Sequence, residues 1–196
     1  MSLDIKKPVN SLEKINSKLG EIWISNEIQD NVLVFDTKKD KERFYIKNLL
    51  NQFDSVNNLE IHHNRDGSPY LNGKDSSFIS ISHSKDYCAI YFSEIQPVGI
   101  DIQLKNENII RGKDYFINQN ELEQFPNLTI DEASYIWCSK EAFYKRCYGK
   151  IEDLKEDVSI VEIKHSENLI VLIYQTVYYH LTFRFREGYY LVYTID

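Results

Sequence analysis

The alternation of apolar and polar positions divides the chain into strand, helix, strand, helix and strand regions. From Glu21 to Phe35 apolar residues recur with strand spacing, interrupted near Gln29 to Asn31. The stretch DTKKDKERFYIKNLLNQF then changes period. Ile46, Leu49, Leu50 and Phe53 form a stripe of helical spacing, and Asp36 or Thr37 can cap it. Arg65 to Pro69 is a turn by composition. Three apolar runs follow, FISIS, YCAIYF and PVGIDI. The first two are joined around Asp86, as in a hairpin. Asp114 to Leu122 reads as helical. A longer helix is expected from Ile130 to Tyr148, stopped by Gly149. DVSIVEI, LIVLIY, YYHLTFRF and YYLVYTI alternate as an antiparallel meander. The expected class is α+β, with no linker and no literal repeat along the chain.

Composition narrows the function. The chain has 196 residues, 42% of them hydrophobic, enough for one substantial core or two small halves sharing one. Fourteen tyrosines against 10 phenylalanines fit strands whose rings cover a core while the hydroxyls reach water. A net charge of -7 disfavours nonspecific nucleic-acid binding. Cys88, Cys138 and Cys147 form no C-x-x-C pair and are read as reduced thiols of a cytoplasmic protein. MSLDIKKPVN holds no apolar stretch of signal-peptide length. The apolar run Leu169 to Tyr174 is too short to span a bilayer, so no membrane role is expected.

Four segments carry candidate chemistry, each with a plain structural alternative. In PVGIDIQ, strand alternation puts Asp101 and Gln103 on one face and Ile100 and Ile102 on the other. Asp101 is then a rigidly held carboxylate, or else a solvated edge charge. In IWCSKEAFYKRCYG, Trp137, Glu141 and Lys145 share a helix face, with Lys140 and Tyr144 beside it. Glu141 and Lys145 also have the spacing of an ordinary helix-surface ion pair. His83, near a strand end, is a phosphate donor or a hydrogen-bonded loop residue. The basic helix start, including Lys38 and Arg43, is a phosphate site or a mixed-charge solvated face.

The order of these segments is more specific than any one of them. A strand ending in SISHS, a strand reading VGIDI and a helix reading W-C-S-K-E-A-F-Y-K resemble the 4′-phosphopantetheinyl transferase superfamily, in its single-chain type that activates peptide synthetases. The resemblance covers about Lys38 to Gly149. It implies two similar α+β halves packed as a pseudo-dimer, residues 1–96 and 97–196, with the active site between them. A monomer would then suffice. It implies coenzyme A as donor, Mg²⁺ as cofactor and an acyl or peptidyl carrier protein as acceptor, with 3′,5′-ADP released.

The resemblance also implies residue roles. Asp101 and Glu141 match the metal ligands, with Gln103 as a third donor. Glu141 matches the base that takes the serine proton, and Lys145 matches a lysine on the pyrophosphate. Ser82 and His83 match phosphate contacts. Lys38 and Arg43 match basic positions near the coenzyme A 3′-phosphate and adenosine, and Lys140 is expected beside the cofactor. Lys105, Arg111 and Lys113 are expected contacts for an acidic carrier helix. Two departures stand out. Gln103 occupies a place often held by glutamate. Gly67-Ser68-Pro69 stands where the family commonly has Gly-Lys-Pro, with Lys74 nearby. A homologue that binds coenzyme A or carrier without transfer is the alternative reading, and a scaffold domain is a third.

Overall fold

A computed structural model describes residues 12–26, 37–53, 60–72, 77–85 and 87–196. Two antiparallel sheets carry the fold. The first contains β1 (Leu12–Ser17), β2 (Gly20–Asn26), β5 (Phe78–Ser84) and β6 (Tyr87–Ser93) in the order β1-β2-β6-β5. The second contains β7 (Ile100–Leu104), β8 (Val158–Lys164), β9 (Leu169–Tyr174), β10 (Val177–Arg186) and β11 (Tyr189–Thr194) in the order β7-β11-β10-β9-β8. A small pair, β3 (Ile61–His63) and β4 (Pro69–Leu71), brackets the turn at Gly67. The helices are α1 (Lys38–Phe53), α2 (Gln119–Gln124) and α3 (Ile130–Arg146), with a 3₁₀ helix over Glu107–Tyr115. The chain is thus mixed α+β, and its C-terminal meander follows the alternation of its sequence. Among the described residues no helix is long and apolar enough to cross a membrane.

Three buried clusters explain why the strands read as they do. Leu49 and Leu50 of α1 pack on Trp23, Ile79, Cys88 and Ile90, one face of the first sheet. The other face, through Ile22, Ile24, Ala89 and Tyr91, meets Ile100, Ile102, Leu191 and Tyr193 of the second sheet. The far face of the second sheet, with Ile160, Leu172 and Val192, packs on Ile136, Ala142 and Phe143 of α3. Both sheets are therefore covered on both faces. That is why β6 and β11 are nearly continuous in apolar residues instead of alternating. Each such Ile or Leu removed from water stabilises the fold by roughly 1.5–3 kcal/mol.

The helix ends obey local rules. Thr37 accepts from the Asp40 amide at 3.1 Å and caps α1. Thr129 and Glu132 form a capping box that starts α3. Gly149, at φ +72°, closes its end by donating its backbone N–H to Tyr144 O at 3.0 Å. The helix expected over Asp114 to Leu122 is instead broken, because Asn118 caps α2 with its own side chain and ends the preceding turn. Expectations for residues 27–36, Lys74 and Asp86 lie outside the described residues.

The two sheets also meet edge to edge, at β5 and β7. An edge strand leaves every second amide without a ladder partner. On β7 these are Ile100, Ile102 and Leu104. Their N–H groups donate to the hydroxyls of Ser80, Ser82 and Ser84, at 3.1, 3.2 and 3.1 Å. Serine at every second position of β5 thus replaces a backbone ladder with a row of side-chain bonds.

Candidate active site

Asp101 lies on the face of β7 turned toward α3 and is buried. Its Oδ1 accepts from Ser82 Oγ at 2.7 Å and from Lys145 Nζ at 2.7 Å. Lys145 also donates to Ile100 O at 3.1 Å. Lys145 is therefore not simply the surface partner of Glu141 that its spacing allowed. Gly99 makes this closeness possible. A Cβ there would sit 1.8 Å from Ala142 O, so only glycine lets β7 press against the helix backbone.

Glu141 stands one turn before Lys145 on α3 and is partly buried. Burial pushes its carboxyl pKa up, and the Asp101 charge pushes it further, while Lys145 opposes both. Cys138, on the same helix face, is fully buried close to Asp101. Burial first, and then the Asp101 charge, hold its thiol far from ionisation. Cys138 was not picked out from sequence, although its spacing of three and seven from Glu141 and Lys145 marks one helix face.

These groups fit a hard dication. Asp101 and Glu141 are near enough for each charge to act on the other, and with Lys145 bonded to Asp101 the three groups keep a surplus of negative charge. Gln103 stands on the same face of β7 as Asp101. Among the described residues no cluster of three His, Cys, Asp or Glu side chains forms a metal site. A pair of carboxylates that leaves room for substrate oxygens is the arrangement Mg²⁺ favours.

Beside this cluster a cleft of about 440 Å³ opens between α1, the β3–β4 turn, β5 and the end of α3. Lys145 belongs to both, since it lines the cleft and bonds Asp101. His83 also lines it, with Nε2 2.7 Å from Glu42 Oε1. The expected phosphate donor is thus held by a carboxylate on α1 that sequence reading passed over. Ser68 lines the cleft too, but its hydroxyl donates to Asp66 at 2.6 Å and accepts from Asn64 at 2.9 Å. It closes its own turn and does not replace a phosphate-binding lysine.

Other expected site residues lie elsewhere. Ser82 is buried in the seam between sheets, its hydroxyl engaged on both sides. Arg43 is exposed on α1, 4.0 Å from Asp40, and does not line the cleft. Lys38 begins α1, but its side chain is not among those described.

Lys140 requires a correction. It has no exposed surface, it pairs with Glu121 at 2.9 Å, and it donates to Lys155 O at 2.9 Å. Glu121 in turn accepts from the amides of Asn118 and Ile160. Burial pushes Glu121 up and Lys140 down, while their mutual attraction opposes both. Lys140 ties α3 to α2 and β8, so a cofactor contact does not agree with its placement.

On the proposed docking side, Lys105 pairs with Asp131 at 3.1 Å. Arg111 and Lys113 lie on the 3₁₀ helix, next to the highly exposed ring of Tyr115.

No curated protein matches this chain. Residues 97–193, just under half of the chain, match the model of the 4′-phosphopantetheinyl transferase superfamily, and that match supports a general role in phosphopantetheine transfer.

Proposed function

We propose that this protein transfers the 4′-phosphopantetheine arm of coenzyme A to a serine of an acyl or peptidyl carrier protein and releases 3′,5′-ADP. The observation that carries the reading is the convergence of Asp101, Glu141 and Lys145 at the edge of a cleft, within the segment that matches the family.

In this reaction the serine oxygen forms a new bond to phosphorus, the pyrophosphate bridge breaks, and the serine proton must leave. Asp101 and Glu141 would hold Mg²⁺, which supplies charge neutralisation on the pyrophosphate. Lys145 adds a fixed positive charge beside it, already oriented by Asp101. Glu141 receives the serine proton. Its raised pKa makes it a better proton acceptor than an ordinary carboxylate while it is ionised. His83, paired with Glu42 on the cleft wall, would meet the phosphates there. Arg111, Lys113 and the ring of Tyr115 offer a basic and apolar surface to an acidic carrier helix.

The test is mass spectrometry of a panel of carrier proteins incubated with this protein, coenzyme A and Mg²⁺. The expected result is a gain equal to phosphopantetheine on at least one carrier. No gain on any of them, with coenzyme A still bound, would favour the non-catalytic binding reading.

A further inference from the structure

The Ser82 hydroxyl has a task that Ser80 and Ser84 do not share. All three accept an amide from β7. Because Ser82 Oγ accepts from Ile102, its own proton is free to point elsewhere, and it points to Asp101 Oδ1 at 2.7 Å. Lys145 Nζ donates to that same oxygen. Two donors on one oxygen fix the rotation of the carboxylate, and Oδ2 receives a bond from neither. The hydroxyl itself sits in the seam, 4% exposed, and does not line the cleft.

We propose that Ser82 is the positioning residue for Asp101, orienting its carboxylate for a divalent cation, and that its hydroxyl makes no contact with coenzyme A. This rests on the phosphopantetheine-transfer reading of the site. It also separates Ser82 from His83, the neighbour whose side chain does line the cleft. Groups that orient a metal ligand from behind set the affinity for the metal without touching substrate.

Ser84 is a built-in control, since it makes the same inter-sheet bond without reaching Asp101 and, unlike Ser80, does not line the cleft. Ser82→Ala and Ser84→Ala are prepared in the full chain. Each is measured for Mn²⁺ binding by paramagnetic resonance with coenzyme A present, and for the Mg²⁺ dependence of transfer. Ser82→Ala is expected to weaken the cation by roughly 10- to 100-fold, while Ser84→Ala stays within about twofold of the native chain. Ser82→Thr, which keeps the hydroxyl, is expected to restore the native titration.

If both alanine variants titrate alike, the positioning role is overturned and the transfer reading stands. If the native chain itself binds no cation with coenzyme A, both fall together. Should Ser82→Ala not fold, a crystal structure of the native chain with coenzyme A and Mg²⁺ decides. Ser82 Oγ still bonded to Asp101 upholds the proposal, and Ser82 Oγ on a phosphate oxygen overturns it.

Discussion

Lys145 Nζ lies 2.7 Å from Asp101 Oδ1 although the two residues are 44 positions apart. The bond joins the end of α3 to the edge of the second sheet, so it bears on stability and, under the proposed function, on the chemistry as well. Lys145→Met is expected to lower unfolding stability by about 2 kcal/mol, because a carboxylate loses a charged donor. Urea unfolding checks this. Transfer should fall far more than stability does, since the same lysine faces the cleft.

Glu141→Gln is expected to abolish transfer while coenzyme A binding survives. It should also stabilise the protein at neutral pH. The folded protein holds the Glu141 proton more tightly than the unfolded chain, whose carboxyl titrates near 4.5. The stability linked to this carboxyl is present below that pH and is lost as pH rises through the higher folded value. Glutamine never ionises, so its variant keeps what the native protein loses. Melting temperatures of the two should converge in acid and separate above it. A variant less stable at pH 7 would contradict the burial of this charge.

Gly99→Ala is expected to be severely destabilising, by about 1–3 kcal/mol or more, because the added methyl meets backbone that cannot move aside alone. The strand must shift, and Asp101 shifts with it. Thermal unfolding and the Mg²⁺ dependence of transfer should therefore change together.

Lys140→Ala is expected to cost about 3–5 kcal/mol, since it strands the Glu121 charge in the core. Coenzyme A affinity of the folded fraction, measured by calorimetry, should stay unchanged. A large loss of affinity with little loss of stability would restore Lys140 to the cofactor site. Lys140→Met with Glu121→Leu should recover most of the stability.

Much of this was readable in sequence wherever one residue's neighbours along the chain decide its fate. The end of α3 at Gly149, the β5–β6 hairpin and the meander all follow from period and turn chemistry. Asp101 and Glu141 were visible as candidates, but nothing local brings residues 141 − 101 = 40 positions apart to one place. Lys140 misled because in sequence it sits beside the Glu141 and Lys145 stripe of the helix motif. Its partner Glu121 lies on another helix and satisfies it where α3 is buried on most sides. The alternation in SISHS could not say that the neighbour of its serines would be the amide edge of a different sheet.

The tight fit at Gly99 separates two kinds of motif residue. Its requirement is steric and arises from the thickness of a helix backbone, whatever the protein does with its carboxylates. A relative without any transfer activity would still need glycine there to fold. The glycine of the VGID signature therefore testifies to architecture, independently of what Asp101 and Glu141 do.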